Sequence, residues 1–360
     1  MDVAGRVARL RARFDDAGCG TLLVTHLTNI RYLTGFTGSA ALLLVQPDTL
    51  TFVTDGRYEE QAAGQLAAAG VEADIEIGRT LARQQELITA RAPDGRLGLE
   101  AEHVSWASQR RYAEEWFPGV DLVPTSGLVE ALRLVKDEGE VARIEAACGI
   151  ADAALAAVAP MLEDGPTEQA FALTLDTEMR RRGADDISFD TIVAAGPNGS
   201  RPHHAPSARA VQRGDLVVID FGALVDGYHS DMTRTIAVGG PGALDETQTR
   251  MVEVVGASQA AGVAAVRAGV PTKDVDAACR SVIAEAGWGD AFVHGTGHGV
   301  GLDIHEEPRV STAADAMLAS GHVVTVEPGV YLPGHGGVRI EDTVVVTESG
   351  CRTLTRAPKS

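Results

Sequence analysis

Apolar and polar positions switch repeatedly between helical and strand-like spacing along the first third of the chain. Residues 2–17 carry apolar positions at helical spacing and predict an amphipathic helix, and further helical patterns cover 57–69 and 81–91. The alternation predicts an α/β domain with a core of its own. Four short apolar runs predict its strands: 21–25, 41–45, 49–54 and 96–100.

The rest of the chain begins with two long helical patterns and then becomes rich in strands, which predicts an α+β domain. A charged helical segment with a break at Gly139 separates the two parts, so we place the boundary near 128–135 and the domains at 1–130 and 131–360. The helical patterns cover 140–162, 167–183, 244–268 and 272–286, and the strand patterns cover 189–196, 215–238 and 322–346.

Charge and composition exclude several classes of protein. The net charge of −19 argues against a surface for nucleic acid or for anionic membranes. The longest apolar runs, such as 41–45 and 323–326, are short, which predicts that no segment spans a membrane. The N-terminal pattern is that of a folded helix rather than a signal peptide. The four cysteines are far apart in sequence, as in a reduced, cytoplasmic protein.

Two distant segments share one pattern, in which an apolar strand ends in an acid followed by one residue and a glycine. The first is Asp220-Phe221-Gly222 and the second is Glu327-Pro328-Gly329. Each segment carries a second acid farther on, Asp231 and Glu341, before a β-branched run. The repetition predicts a duplicated half-domain whose two hairpins face each other and bring four carboxylates together.

The first hairpin has a turn signal that sets its register. Asp226-Gly227 is typical of a two-residue β-turn, which would pair position 220 with 233 and make Asp231 a diagonal neighbour of Asp220 on one face. The alternative is that these acids are solvated on an exposed face. Four carboxylates within buried-strand patterns carry a charge that two divalent cations would balance, so we predict a dinuclear metal site.

The segment HGTGHGVGLDIHEEP, residues 294–308, contains three histidines among four glycines. The glycines exclude a stable helix, so His294 and His298 are not a helical zinc pair; we expect extended or looped backbone with both on one side. The HExxH motif of helical zinc metalloproteases would begin at His305-Glu306. It is excluded because Pro308 and Arg309 follow where the helix should continue and the second histidine should stand. Histidines here would be metal ligands or proton carriers; the alternative is a structural or surface role.

These motifs resemble the pita-bread-fold metallopeptidases, which include aminopeptidase P, prolidase and methionine aminopeptidase. The amino-terminal stretches NIRYLTGFTGS (29–39) and TDGRYEEQA (54–62) resemble the first domain of the proline-specific branch and of creatinase. The resemblance covers nearly the whole chain. In the second domain it rests on VVIDFG, DMTRT (231–235), HGTGHGVGLDIHE, TVEPGVY (325–331) and VRIED (338–342).

The resemblance implies a creatinase-like α/β amino-terminal domain and an α+β pita-bread catalytic domain with five metal ligands. It implies two divalent ions, for which we expect manganese first and cobalt, zinc, iron or magnesium as alternatives. Asp231 and Glu341 would bridge the ions. The implied ligands are Asp220, Asp231, His298, Glu327 and Glu341.

The resemblance also implies roles for residues around the metals. His203 would lie near the substrate, His305 would contact the scissile carbonyl, and His294 would relay protons. Arg339 and Tyr331 would orient the ligands, with Tyr331 also near the substrate, and Glu327 would accept the proton of the attacking water. His204, which shares a loop with His203, has no such match and is expected to be structural.

The implied activity is hydrolysis of the peptide bond that precedes proline. We expect an aminopeptidase P-like enzyme that releases the N-terminal residue of Xaa-Pro peptides, with an Xaa-Pro dipeptidase (prolidase) as the alternative. Arg201, before Pro202-His203, would either clamp a substrate carboxylate, which favours dipeptides, or be a surface arginine. A homodimer in the cytoplasm is the family expectation.

Three other classes fit the sequence less well. Creatinase shares both domains but lacks the metal ligands, and all five are present here. Methionine aminopeptidases lack a domain equivalent to 1–130. A non-catalytic pita-bread binding protein remains the more distant alternative, because such relatives have lost ligands.

Overall fold

The computed structural model describes residues 1–93 and 95–359, and its chain divides into two compact units, Met1–Arg133 and Leu134–Ser360. The sequence-based boundary was placed three residues earlier, after residue 130. Each unit has its own hydrophobic core and is described by itself.

The first unit is built on one mixed six-stranded sheet in the order β4-β3-β2-β1-β5-β6. The central strand β1 is fully buried and pairs antiparallel with β2 and parallel with β5. The strands are β1 Thr21–Val24, β2 Ala41–Val45, β3 Leu50–Thr54, β4 Asp74–Ile77, β5 Arg96–Glu100 and β6 Asp121–Thr125. The helices are α1 Arg6–Arg11, α2 Phe14–Ala17, α3 Leu27–Thr34, α4 Glu59–Ala68, α5 Leu81–Thr89, α6 Trp106–Arg111 and α7 Glu130–Arg133, with a π-helical turn at Tyr112–Trp116.

The predicted strands of this unit are present, and the helices depart from prediction in two places. The helix expected over 2–17 is two short helices, α1 and α2, although Leu10 and Phe14 are both buried as one amphipathic face would require. The pattern did not predict α3, α6, β4 or β6. The first unit is therefore an α/β domain with more elements than the sequence indicated.

The second unit packs four long helices around short antiparallel sheets, which makes it an α+β domain. The helices are α8 Glu138–Val158, α9 Glu168–Arg181, α10 Glu246–Ala265 and α11 Thr272–Glu285. Short 3-10 helices cover Ala159–Asp164, Gly196–Ser200, Pro241–Ala243 and Gly289–Ala291. The strands are β7 Asp186–Ile187, β8 Ile192–Ala195, β9 Leu216–Phe221, β10 Ala223–Val225, β11 Tyr228–His229, β12 Met232–Ala237, β13 Gly297–Gly299, β14 Glu306–Val310, β15 Val323–Val326, β16 Gly329–Leu332, β17 Gly336–Arg339, β18 Asp342–Val346 and β19 Cys351–Thr353.

The first hairpin has the register that its turn predicts. Asp226 and Gly227 have φ of 47° and 74°, so both central positions are left-handed, as a type I′ turn requires. Strands β10 and β11 pair next to the turn, and β9 then pairs with β12 so that Asp220 lies opposite Thr233. The predicted pairing of 220 with 233 is confirmed.

The second hairpin repeats this arrangement. Strands β16 and β17 pair with Gly329 opposite Arg339, and β15 and β18 continue with Val326 opposite Asp342. The same register places Glu327 opposite Glu341, where the two pairs of strands meet. Each hairpin thus carries its acids at an interruption between two paired segments.

Helix α8 corrects two sequence-based expectations. The helical break lies before Asp137, not at Gly139: the Asp137 side chain caps the helix in a reciprocal pair with Glu140. Together with the 3-10 turn that follows, the segment Glu138–Asp164 is long and apolar enough to cross a membrane by length and composition alone. The short apolar runs therefore do not by themselves exclude a membrane span, as the sequence analysis assumed. In this structure, Ala151 and Leu155 of α8 pack in a hydrophobic core cluster with residues of strands β8 and β9 of the same unit.

A buried ion pair gives a test of what holds the second unit together. Arg234 donates to Asp342 over 2.9 Å, and both side chains are at most 2% exposed. We expect Arg234→Met to destabilise the protein by about 3 kcal/mol, because it leaves a buried carboxylate with less compensation. Urea unfolding monitored by circular dichroism measures this. As the control, Arg352→Met, which removes an exposed pair with Glu145, should cost less than about 1 kcal/mol; equal effects would contradict the assignment.

Candidate functional site

Four of the five predicted ligands lie at or next to the ends of strands, and the fifth lies in a strand of three residues. Asp220 is in β9 and Asp231 immediately precedes β12. Glu327 immediately follows β15 and Glu341 immediately precedes β18, while His298 is the middle residue of β13. Residues at or beyond the end of a strand are less constrained by regular strand pairing, so their side chains can converge on one point.

Hydrogen bonds from one hairpin to the other fix this convergence. The Glu341 N–H donates to the Thr233 carbonyl oxygen over 3.1 Å, and the Thr343 hydroxyl donates to the Asp231 carbonyl oxygen over 2.7 Å. The Thr233 hydroxyl donates to Glu341 Oε2 over 2.7 Å. The two hairpins therefore face each other as the sequence predicts, with Asp231 and Glu341 at their junction.

His298 presents a ring nitrogen to the carboxylates. Its Nε2 lies 3.4 Å from Asp231 Oδ2 and 3.5 Å from Glu327 Oε1. Its Nδ1 lies 3.0 Å from the Gly299 carbonyl oxygen, which can only accept a hydrogen bond, so Nδ1 donates there and Nε2 is the nitrogen that faces the carboxylates. Donor atoms of Asp231, His298 and Glu341 all lie within 4.8 Å of one another, and all three residues are buried.

The carboxylates oppose one another's ionisation. Burial raises the pKa of Asp231 well above its usual range, and the charges of Asp220 and Glu327 raise it further. Burial also raises the pKa of Glu341 well above its usual range, with Asp231 and Glu327 adding to the effect. The pKa of Glu327 is raised as well, chiefly by burial. Without added positive charge the cluster is electrostatically unfavourable in its ionised form.

The donor set fits divalent metal ions. Asp220 Oδ1 and Glu341 Oε1 are buried and have no hydrogen-bond partner among the described residues, which is costly for a carboxylate unless a cation satisfies it. Four carboxylates and one imidazole are donors that hard or borderline divalent ions accept. The residues present are therefore a suitable metal-binding set.

Arg339 connects the metal-binding set to His294. Its guanidinium donates to Asp220 Oδ2 over 2.5 Å and to the Tyr331 hydroxyl over 2.8 Å. The Tyr331 hydroxyl in turn lies 2.8 Å from His294 Nε2. Tyr331 is buried and does not line the cleft in the described part of the chain, so its geometry fits orientation of His294 and Arg339 rather than the substrate contact predicted from the resemblance.

The carboxylates open into a cleft of about 390 Å³. All three predicted histidines reach its wall, together with the five predicted ligands and Arg339. Its other lining residues, not predicted from the sequence, include an apolar group and one cation. These are Phe189, Ile192, Pro202, Gly295, Gly297, Ile304, Arg309 and Ser311.

His294 and His305, the two histidines of the glycine-rich segment that are not predicted ligands, both line the cleft. Burial lowers the pKa of both His294 and His305 to about 4. The His305 ring packs edge-on against His298 with 4.4 Å between centroids. The next residue, Glu306, is anchored by a buried ion pair with Lys136 over 2.9 Å, which fixes the backbone beside His305.

The loop that carries His203 is anchored by hydrogen bonds of the neighbouring residue, His204, and of Glu168. His204 is buried and its Nε2 lies 2.9 Å from Glu168 Oε2, in agreement with the structural role expected for it. The fully buried Glu168 carboxylate also accepts the Ala195 and Ser207 N–H groups. His204 therefore points into the protein, while His203 lines the cleft.

Two residues of α11 that the sequence reading missed fix the segment before His298. Asp276, which is fully buried, accepts the N–H and hydroxyl of Thr296 and pairs with Arg280. Arg280 donates to the carbonyl oxygens of Phe292 and His294 over 2.9 and 2.8 Å. In the sequence they look like an ordinary i,i+4 surface pair, so nothing there indicated this role.

The glycines beside His298 allow close approach of backbones. A Cβ on Gly297 would lie 2.1 Å from the Thr325 carbonyl oxygen, and one on Gly299 would lie 2.2 Å from the Glu307 carbonyl oxygen. Strand β13 therefore lies directly against its neighbours on both sides, which explains the glycine spacing around the ligand.

Comparison with known proteins identifies the family. Residues 142–348 match metallopeptidase family M24, and residues 6–135 match the creatinase/prolidase N-terminal domain. The chain belongs to metallopeptidase family M24. The predictions of a metallopeptidase, of a creatinase-like first domain and of a pita-bread catalytic domain are confirmed, and membership in this family implies the use of divalent metal.

Several relatives span the whole chain. The structure of an Xaa-Pro dipeptidase from Bacillus anthracis is 38% identical, covers 99% of this chain and 98% of that one, and has a TM-score of 0.93. The structure of an X-Pro aminopeptidase from Thermotoga maritima is 34% identical, covers 95% and 97%, and has a TM-score of 0.87. An Xaa-Pro dipeptidase from Pyrococcus horikoshii is 34% identical over 366 residues, 100% of this chain and 99% of the relative.

Removal of one carboxylate charge tests the metal-binding set. We expect Asp231→Asn and Glu341→Gln each to reduce bound divalent metal substantially and to abolish peptide hydrolysis, because each removes a charge from the centre of the set. Metal content by mass spectrometry after dialysis measures this. Asp245→Asn, which changes an exposed carboxylate, is the control. Full metal content with normal turnover in either variant would refute the assignment.

Proposed function

We propose that this protein is an Xaa-Pro dipeptidase, an enzyme that hydrolyses the bond before proline in dipeptides. The preference for an aminopeptidase P-like activity in the sequence analysis is not specifically supported. The dipeptidase alternative fits better, because solved and curated relatives of full length are named as Xaa-Pro dipeptidases.

The observation that carries the proposal is the position of Arg309. Its side chain lines the cleft, and among the described residues its guanidinium has no hydrogen bond or ion pair. Its charge contributes to the lowered pKa of His305, after burial and His298, so it lies close to that ring. A dipeptide ends in a carboxylate one residue from the scissile bond, and a guanidinium near His305 is suited to bind it.

Arg201, the cation singled out in the sequence, is less suitable. Its guanidinium donates to the side-chain oxygen of Asn198 in its own loop, and Arg201 is not among the described residues that line the cleft. This supports the surface alternative for Arg201. The sequence analysis did not single out Arg309, which lies in β14, a strand that the pattern did not predict.

The apolar side of the cleft suits a proline ring. Phe189, Ile192 and Ile304 line it together with Pro202. A pyrrolidine ring has no N–H in a peptide bond and gains from burial against such side chains. The cleft thus combines an apolar wall with Arg309, a cation that can bind a prolyl carboxylate; the other lining arginine, Arg339, is engaged with Asp220.

The cleft residues can perform the hydrolysis in a consistent order. Two divalent ions held by the five ligands would supply Lewis acidity and a water of lowered pKa. Glu327 is placed to accept the proton of the attacking water and to pass it to the leaving prolyl nitrogen. His305 would donate a hydrogen bond to the carbonyl oxygen as negative charge develops there. Arg339 holds Asp220 in place, and His203 would contact the substrate.

Three further parts of the proposal come from the family resemblance. Manganese is the expected native metal, and the oxygen-rich donor set is compatible with it. A homodimer and a cytoplasmic location are also proposed. Metal analysis of the protein as purified, sedimentation analysis and cell fractionation test the three separately.

Substrate length is the direct test of the proposal. The manganese-loaded protein should hydrolyse Xaa-Pro dipeptides with a higher kcat/KM than Xaa-Pro-Xaa tripeptides and should leave Xaa-Ala dipeptides nearly untouched. Arg309→Ala should raise KM for Xaa-Pro about tenfold or more, which corresponds to about 1.4 kcal/mol. Arg201→Ala is the matched control and should leave KM unchanged. Faster hydrolysis of tripeptides, with no effect of Arg309→Ala, would return the assignment to an aminopeptidase.

His298 and His305, whose rings are in contact, should have separable roles. We expect His298→Ala to lose metal, whereas His305→Ala should keep metal and lose mainly kcat, because a contact to the developing oxyanion strengthens in the transition state. Metal content and steady-state kinetics measured on the same preparations separate the two effects. Equal loss of metal in both variants would contradict this division.

A further inference from the structure

The first unit contains a second group of metal-ligand side chains, made up of residues other than those discussed above. His26 immediately precedes α3, His103 lies in the turn after β5, and Glu130 begins α7. One donor atom from each lies within 4.8 Å of the other two. Three segments that are distant in sequence therefore bring two imidazoles and a carboxylate to one place.

The donor atoms of the group are close together, but the two rings must turn before they can share an ion. The rings of His26 and His103 are parallel, with 3.7 Å between centroids and 7° between planes. His103 Nε2 lies 2.9 Å from Glu130 Oε1. Donors to one zinc ion, each about 2.0–2.1 Å from it, are roughly 3.4 Å apart. An imidazole nitrogen binds through a lone pair in the ring plane, so at least one of the two rings must rotate out of the stack before both nitrogens can point at one ion.

Neighbouring polar groups hold the potential ligands in orientation. The Asn29 side-chain amide donates to Glu130 Oε1 over 2.5 Å, and its oxygen accepts from Arg133 over 2.8 Å. Glu100 accepts the backbone N–H of His26 over 2.9 Å. Ligands of metal sites are commonly fixed by such hydrogen bonds from surrounding residues.

The group is also accessible. The side chains of His103 and Glu130 are 28% and 30% exposed, so solvent can reach the donors and supply the remaining ligands of an ion. A His103–Glu130 ion pair alone would not need a second imidazole stacked on the first. Two imidazoles with one carboxylate and water form the donor set of open zinc sites.

We propose that His26, His103 and Glu130 bind one divalent transition-metal ion of the zinc class, separately from the catalytic centre. Two imidazole nitrogens favour zinc, cobalt, nickel or copper over manganese, magnesium or calcium. This distinguishes the site from the catalytic ligands, four of which are carboxylates. Because the ion would join three distant segments, its binding would stabilise the folded first unit by mass action.

Zinc stoichiometry of the full-length protein tests the proposal. After equilibrium dialysis at fixed free zinc, the unmodified protein should hold one more zinc per chain than His103→Asn or Glu130→Gln. Manganese-dependent peptidase activity should be the same in all three, because neither residue belongs to the catalytic cleft. His335→Asn is the matched control: it removes an exposed histidine that lies 3.4 Å from a carboxylate, and it should bind as much zinc as the unmodified protein.

Thermal unfolding gives a second measurement. Zinc should raise the unfolding midpoint of the unmodified protein and of His335→Asn more than that of His103→Asn or His26→Asn. Circular dichroism and retained activity show whether each variant is folded. Equal zinc stoichiometry in the unmodified protein and in folded His103→Asn, with equal shifts of the midpoint, would overturn the proposal and leave the group as an ion pair with a stacked ring.

Discussion

Four buried or half-buried carboxylates within reach of one another are the constraint on which the second unit depends. Burial and the neighbouring negative charges disfavour the ionised forms of Asp231, Glu327 and Glu341, and among the four carboxylates the Arg339 guanidinium contacts only Asp220 directly. The hairpins hold these repelling groups together through buried strands on either side, so the hydrophobic core offsets the electrostatic cost. Divalent cations remove that cost, which makes metal binding and folding of this region mutually supportive.

The acids of the site could be predicted from the sequence because each breaks an apolar strand pattern. The register of the first hairpin could be predicted as well, because Asp226-Gly227 permits one tight turn. Arg309 could not be recognised in the same way, because its sequence neighbourhood only served to reject a helical zinc motif. Asp276 acts through a loop distant in sequence, and such contacts leave no local signal.

The missed elements of the first unit have physical reasons. Strand β4 alternates acids with isoleucines at one edge of the sheet, where burial is partial and the apolar signal is weak. Strand β6, at the opposite edge, contains Pro124, which reads as a break in a strand. Helix α3 is short, and its buried face includes Asn29 and Thr34, so hydrophobic periodicity is incomplete.

The close packing of β13 has a consequence for local opening of the protein. With glycines on both sides of His298, neighbouring backbones lie in direct contact, and this ligand cannot leave its place unless hydrogen bonds to β14 and β15 break together. His203 lies in a loop and Arg309 is exposed on β14, so both can move at lower free energy. The cleft therefore combines His298, which close backbone contacts hold on both sides, with exposed side chains that can move at a lower free-energy cost.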